Sequence, residues 1–204
     1  MLELPVNLFD CLFVTVLVAG VVAGRKHGIS YELPRLLKWL ALVIVCAAAY
    51  GPIGSLLARA GLFDPFASNL FSYLGCAFIV LVLFAGLQHK LKPRFEKSDA
   101  FGRGEYYLGM GSGLVRYGCM VFTLLALLNA RHFSEAELKA KEQFQEQNFG
   151  STVFPTLHNL QVAVFERSLT GSLISNYLSF LLIAPTSPED PAPSLAFPPR
   201  IAGR

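Results

Sequence analysis

Charged side chains inside apolar stretches are the residues of this sequence with the greatest capacity for chemistry. Arg116 lies about nine residues into an apolar run that begins near Tyr107, with no acidic neighbour at helical spacing. A guanidinium at the centre of a membrane helix costs about 2.5–3.5 kcal/mol on insertion scales. It either forms a structural pair or snorkels toward a polar end, or it marks a functional site, and the residues leave both open. Asp10, Glu32 and Glu105 are the candidate partners; we expect Asp10 at the opposite face and therefore favour Glu32.

Glycines recur at intervals of four in two apolar runs, at Gly20, Gly24 and Gly28 and again at Gly109 and Gly113. This spacing places them on one face of each helix, where the missing side chains let another backbone come close. We interpret the ladder as close helix packing. A substrate groove lined by glycine is the alternative.

The remaining residue types that could do chemistry are not arranged for it. The four cysteines lie inside apolar runs and are typical of small buried hydrophobic residues, with a thiolate site for a soft metal as the alternative; they are Cys11, Cys46, Cys76 and Cys119. The four histidines fall in predicted loops or the tail, and we expect them on a solvated surface; they are His27, His89, His132 and His158. The spacing typical of a metal site is missing, as are a nucleophile elbow, a phosphate-binding loop and paired carboxylates. We therefore predict no catalytic residue, no metal, no cofactor and no enzyme activity.

The elements that must position these residues are long apolar segments. The chain is 53% hydrophobic and only 15% charged, whereas soluble domains carry roughly 25% charged residues. About 20 apolar residues are needed to cross a bilayer as a helix. Four stretches meet that length, at about 8–24, 36–58, 70–87 and 107–130. The sequence thus predicts an all-α integral membrane protein, a bundle of about four transmembrane helices plus C-terminal amphipathic helices, with residues 1–131 as the membrane domain.

Two features refine the membrane prediction. Residues Met1 to Asp10 contain Glu3 and Asp10 but no Lys or Arg, and the basic cluster follows the first apolar run, so we expect a retained helix and not a cleaved signal peptide. Pro52, within the second run, predicts a kink.

Lysine and arginine in short loops predict orientation, because they stay on the cytoplasmic side. The first and third loops with their flanks are basic, whereas the second has only the nearby Arg59 and carries Asp64. The basic positions are Arg25, Lys26, Arg35 and Lys38, then Lys90, Lys92, Arg94, Lys97 and Arg103. The pattern predicts a multi-pass protein with both termini outside the cytoplasm. The net charge of +3 carries no nucleic-acid argument, and the predicted partners are the lipid bilayer and a second copy or other membrane proteins.

The composition changes after Arg131, and residues 132–184 are predicted to be an amphipathic helical tail. Ser134 to Glu137 form a capping box that should begin a charged helix to about Gln147. A second stretch from 156 to 183 places Leu157, Leu160 and Val164 at helical spacing, and its apolar end is too short to cross the bilayer. It should lie in the interface or pack on the bundle. Residues 185–204, rich in proline, are predicted to be disordered.

Taken in order, these residues resemble the colicin V production protein (CvpA) family. In that family an aspartate opens the first span, a glycine-rich basic exit follows, and then come a glutamate–leucine pair and a tryptophan. The last span carries two glycines four apart and an arginine three positions later. The matching positions here are Asp10, Gly20, Gly24, Gly28, Glu32, Leu33, Trp39, Gly109, Gly113 and Arg116. Two positions depart from the pattern: Glu105 stands where an aspartate is expected, and Tyr117 where a glycine is expected. The resemblance covers roughly residues 7 to 130.

The resemblance implies a bacterial inner-membrane protein associated with the production or export of the peptide toxin colicin V, and more broadly with envelope functions. It supplies no catalytic residue. We therefore expect non-enzymatic support of toxin production or envelope homeostasis through helix packing. The alternative is a small membrane transporter or channel subunit, because intramembrane charge and broken helices mark substrate paths.

Overall fold

Four long helices form the body of the protein in a computed structural model that describes residues 7–61, 63–95, 104–131 and 157–186. They are α1 (Leu8–His27), α2 (Ile29–Arg59), α3 (Pro65–Phe95) and α4 (Glu105–Asn129). All four are long and apolar enough to cross a membrane. The chain is therefore an all-α integral membrane protein with four transmembrane helices among its described residues, which confirms the predicted fold class.

A single residue, Gly28, joins α1 to α2. Its φ of +73° lies in the left-handed region that favours glycine, and its N–H donates to the Gly24 carbonyl at 3.0 Å. As a result α2 begins at Ile29, well before the apolar run that starts at Leu36. The intervening residues are too polar to be found by hydropathy, but they are helical. The predicted first loop is thus a tight turn, and its cations lie on helix ends.

The second helix is longer than a hydrocarbon core is thick. Its 31 residues span about 46 Å at 1.5 Å per residue, against a core of about 30 Å. A helix of this length extends beyond the hydrocarbon core even when it is tilted. The helix continues through Pro34 and Pro52, and the kink at Pro52 stays a prediction.

The helices pack in a definite pattern, with α1 against α4 and α2 against both α3 and α4. The core between α2, α3 and α4 is centred on Leu42, Cys46, Tyr73, Leu125 and Ala126. Large apolar side chains on the opposite faces of α2 and α3 are exposed. Exposed apolar side chains are expected on an outer surface that lipid covers.

The described part of the tail packs on the bundle, one of the two placements that its sequence left open. It contains α5 (Leu157–Gln161), a π-helical turn (Val162–Glu166), α6 (Leu169–Tyr177) and a 3₁₀ turn (Ser179–Leu181). The Gln161 amide donates to the carbonyls of Leu128 at 2.6 Å and Arg131 at 2.8 Å. The Asn129 amide donates to the Ile183 carbonyl at 2.9 Å. These bonds attach the tail to the end of α4.

Some tail predictions differ from the structure or fall outside it. Val164 is buried within the π-helical turn, whereas Leu157 and Leu160 are exposed, so the three do not share one buried face as their spacing suggested. The π-helical turn changes the angular position of each residue, which breaks the expected periodicity. The Thr186 N–H donates to the Ala130 carbonyl at 3.1 Å, at the start of the segment predicted to be disordered. The capping box at 134–137 and residues 187–204 lie outside the described residues.

Candidate functional site

The two glycine ladders meet each other at the crossing of α1 and α4. A Cβ added to Gly20 would lie 2.8 Å from the Gly113 carbonyl oxygen, and one added to Gly109 would lie 2.5 Å from that of Gly24. The two helix backbones are therefore in direct contact, with no room for side chains between them. The arrangement matches the close-packing interpretation of the ladder and leaves no groove at this crossing.

The third glycine of the first ladder, Gly28, ends the crossing at the turn. A Cβ there would lie 2.8 Å from both Cγ and Oε1 of Glu105, so the first residue of α4 packs against the α1–α2 connection. A Cβ added to Gly118, which is one position out of register, would lie 4.0 Å from the Leu17 side chain. The contact face thus follows the interval of four, and it continues to Tyr117, whose Cβ would lie 3.0 Å from a Cβ added to Gly20.

Arg116 pairs with Glu32, the partner that the sequence favoured. Nη1 of Arg116 lies 3.0 Å from Oε2 of Glu32, and the two side chains are 9% and 0% exposed. Arg116 is the twelfth residue of α4, about 16 Å along that helix, whereas Glu32 is in the first turn of α2. Side chains on a helix point back toward its N-terminus. The long guanidinium can therefore reach from the middle of α4 toward the turn and meet the carboxylate there.

Two further basic side chains surround the same carboxylate. Nη1 of Arg35 lies 3.8 Å and Nδ1 of His27 lies 3.7 Å from Oε1 of Glu32. The His27 Nδ1 is also 2.8 Å from the Ala23 carbonyl oxygen; since a carbonyl can only accept, that nitrogen carries a proton in this arrangement. His27 adds a full positive charge only when its second ring nitrogen is protonated as well. Glu32 is thus the common partner of side chains from α1, α2 and α4.

Aromatic rings hold the basic side chains in place. The Arg35 guanidinium lies 4.1 Å from the centre of the Tyr31 ring and donates to the Tyr31 hydroxyl at 2.6 Å. The His27 ring stacks on the Tyr31 ring, with the two centroids 5.2 Å apart. Arg116 lies 4.9 Å from the Tyr117 ring centre. Such cation–π contacts contribute about 0.5–2 kcal/mol each, more when they are shielded from water.

Trp39, a position of the family pattern, belongs to the same end of the molecule. The Lys38 ammonium lies 5.9 Å from the Trp39 ring centre, and the Trp39 side chain packs at the edge of the core. Lys38 also lies three residues after Arg35 on α2, about one helical turn further along. Cations therefore outnumber the single buried carboxylate at this site.

Several buried polar atoms of this end lack a hydrogen-bond partner among the described residues. They are both carboxylate oxygens of Glu32, Nε of Arg116 and the hydroxyls of Ser30 and Ser112. The 3.0 Å contact between Arg116 and Glu32 is close enough for an ion pair but does not have the alignment of a hydrogen bond. The ion pair is attractive all the same, because Coulomb attraction depends little on the N–H direction. The site therefore combines strong charge pairing with spare capacity for hydrogen bonds.

Asp10 lies at the other end of α1 and does not join this site. Its carboxylate accepts from the backbone N–H of Asn7 at 3.0 Å, of Leu169 at 3.3 Å and of Thr170 at 2.9 Å. Asp10 thus completes the capping box of α1 and satisfies the free amides at the start of α6. The family-pattern aspartate is the anchor of the tail in this structure, a role that no local pattern indicates.

The sequence predicts the central pair of Arg116 and Glu32 but not the residues around it. His27 was expected on a solvated surface, and its ring is indeed exposed, but it approaches Glu32 across the one-residue turn. Arg35 was counted only for orientation. The available signal was its spacing, since Glu32 and Arg35 are three residues apart on one helix. Ser112 lies one helical turn before Arg116 and is buried.

A metal or cofactor is not indicated by the described residues. No group of three or more His, Cys, Asp or Glu side chains in those ranges could hold a metal ion. Cys46, Cys76 and Cys119 are buried and Cys11 is exposed, all four as free thiols.

The fold and site define a multi-pass helical membrane protein in which a buried carboxylate links three of the four spans. The family model described as "Colicin V production protein" matches residues 9–162. The chain belongs to this family, as the ordered residues of the first and last spans suggested. No curated protein and no solved structure shows a significant match to the chain.

Proposed function

We propose that this chain is a non-enzymatic protein of the bacterial inner membrane that supports colicin V production or export, or envelope homeostasis, through contacts with a second copy or with other membrane components. The family supports a membrane role of this kind. The observation that carries the contact hypothesis is the outer face of α3. Phe71, Phe78 and Val82 are exposed there, and Gly75 and Gly86 have no neighbouring atom where a Cβ would be.

This face differs from the crossing of α1 and α4 in one respect. The ladder glycines are already covered within the chain, so they are not available to a partner helix. Gly75 and Gly86 are open, and the aromatic rings beside them offer a large contact area. The face therefore suits another transmembrane helix, and lipid covers it in the absence of one. Nucleic acid has no place in this proposal, because the net charge of +3 is small.

Copurification in mild detergent tests the contact hypothesis. We expect the parent protein to migrate as an oligomer or with other membrane proteins, and Gly75→Leu to weaken that association. Gly111→Leu is the matched control, because Gly111 is also open but lies on α4. A parent protein that is strictly monomeric and free of partners would refute the hypothesis, as would equal effects of the two variants.

The proposed orientation has the α1–α2 turn in the cytoplasm and both termini outside it. Its support is the distribution of cations. Arg25, Lys26, Arg35 and Lys38 surround this turn, whereas the connection between α2 and α3 carries Asp64 near Arg59. Basic residues within about 15–20 residues of helix ends favour the cytoplasmic side.

A transporter or channel subunit is the second candidate, and the buried pair of Glu32 and Arg116 favours it. Ionisable residues inside a membrane that face a bundle interior often mark substrate or proton paths. This candidate predicts that Arg116→Ala abolishes flux in reconstituted vesicles while the protein still inserts, and that Arg116→Lys retains part of it. Absence of flux in the parent, or unchanged flux in Arg116→Ala, would exclude it.

A further inference from the structure

The α1–α2 end of the molecule carries more positive charge than its own carboxylates neutralise. Five Lys or Arg side chains of the described residues lie at this end, against Glu32 and Glu105; they are Arg25, Lys26, Arg35, Lys38 and Arg116. Arg25 and Lys26 are exposed on α1. Arg35 and Arg116 contact Glu32, and Lys38 lies three residues after Arg35 on α2, about one helical turn further along. One buried carboxylate therefore faces two close cations, with a third about one turn away.

These three cations are also preorganised. Tyr31 holds Arg35 by a hydrogen bond and a ring contact, Trp39 lies beside Lys38, and Glu32 fixes Arg116. Side chains already restrained in this way lose little further entropy when they bind a ligand. Nε of Arg116 and the hydroxyl of Ser112, both more than nine-tenths buried, remain without a hydrogen-bond partner among the described residues. Both groups can donate to an anionic oxygen.

The depth of the site in the membrane identifies the class of ligand. Because α2 exceeds the hydrocarbon thickness by about 16 Å, its first turns reach the headgroup level, where Glu32 and Arg35 lie. The anionic groups most abundant at that depth are phosphate groups of phospholipids. Basic pockets between transmembrane helices on the cytoplasmic side bind such headgroups.

We propose that Arg35, Lys38 and Arg116, with the Ser112 hydroxyl, form a binding site for the phosphate group of an anionic phospholipid. Glu32 positions the cations from within the bundle, and its single charge leaves a surplus for the ligand. The bilayer supplies the acyl chains with an apolar surface along the exposed face of α2, where Leu37, Ile44 and Val45 point outward. The inference rests on the membrane placement of the helices and on the proposed cytoplasmic side of the α1–α2 turn, and it is independent of the proposed role in toxin production.

Trp39 offers a direct readout, since it is the one tryptophan of the chain and lies beside Lys38. The full chain would be placed in phosphatidylcholine nanodiscs with increasing phosphatidylglycerol, and retained lipid would be counted by native mass spectrometry. We expect a saturable change in Trp39 emission and retention of phosphatidylglycerol over phosphatidylcholine. The double variant Arg35→Gln/Lys38→Gln should raise the phosphatidylglycerol content needed for half-saturation by about 30-fold, since each basic residue near a membrane surface contributes about fivefold.

A matched double variant separates a site from general surface charge. Arg25→Gln/Lys26→Gln removes the same charge from the same end, but both residues are exposed and outside the proposed site. We expect it to shift half-saturation by less than about threefold, because exposed charges are screened by salt. Equal shifts in the two double variants would overturn the proposal. So would a response without saturation, equal retention of phosphatidylcholine, or displacement of the lipid by millimolar inorganic phosphate, which would indicate a site for free phosphate.

Discussion

Substitution of Gly109 by alanine tests the contact between α1 and α4. A Cβ at this position would lie 2.5 Å from the Gly24 carbonyl oxygen and 3.0 Å from the Gly28 Cα. A Cβ essentially never lies closer than 3.0 Å to such an atom, so the two backbones must separate by at least about 0.5 Å. A gap of about 0.5–1 Å forfeits a quarter to a half of the dispersion energy of each atom pair.

The expected cost follows from the way in which packed interiors respond to added atoms. Overpacking by a methyl group costs about 1–3 kcal/mol when the neighbour cannot move, and here the neighbour is helix backbone. For a chain of this size each kcal/mol lowers the melting temperature by about 2–4 °C. Gly109→Ala should therefore melt about 2–12 °C below the parent. Gly111→Ala is the control, because nothing lies within 4 Å of a Cβ there, and we expect a change within about 0.5 kcal/mol.

The buried cysteines provide the assay. Cys46, Cys76 and Cys119 are buried and Cys11 is exposed, so a Cys11→Ser background should react with a thiol-specific dye only when the bundle opens. The dye signal would be followed in mild detergent during heating. Equal melting temperatures for Gly109→Ala and Gly111→Ala would refute the inference that the backbones touch.

Three further changes test the site and the tail. Glu32→Gln should destabilise the protein by about 3–5 kcal/mol, because it leaves Arg116 as a buried cation without its ion-pair partner. Arg116→Gln should cost less, because Glu32 retains contacts with other basic groups. Equal melting temperatures of the two variants would contradict this asymmetry. Asp10→Ala should raise hydrogen exchange in α6 by about 5- to 30-fold, as expected from losing a helix cap worth about 1–2 kcal/mol, with α4 unchanged as the internal control. Tyr50→Phe removes the hydroxyl that donates to the Leu182 carbonyl at 3.4 Å and accepts from the Ala184 N–H. Hydrogen exchange of the backbone around Leu182 and Ala184 should therefore rise by about 2- to 10-fold. Unchanged exchange would show that these bonds do not hold this segment on the bundle.

The spans could be predicted because hydropathy and length depend only on local sequence. The start of α2 could not, since Ser30, Glu32 and Arg35 lower the hydropathy of the segment from Ile29 to Arg35, although that segment is helical. Hydropathy therefore identified the membrane-spanning part of α2 and missed the part that carries the site.

The docking of the tail could not be predicted for a different reason. Asp10 and Thr170 are 160 positions apart, and a carboxylate that accepts from distant backbone amides has no sequence pattern of its own. Asp10 was correctly expected far from Arg116, yet nothing local indicated its partner. The pairing of Arg116 with Glu32 was accessible because a buried cation needs an anion and the alternatives were few.

The alternation of the four helices across the bilayer is the claim on which the account rests, and labelling of single cysteines measures it most directly. In a version without the native cysteines, Lys26→Cys and Asp64→Cys place one exposed thiol at each predicted membrane face. Intact spheroplasts would be treated with a membrane-impermeant maleimide before and after lysis. We expect Asp64→Cys to react in intact spheroplasts and Lys26→Cys to react only after lysis. Reaction of both thiols from the same side would contradict the account.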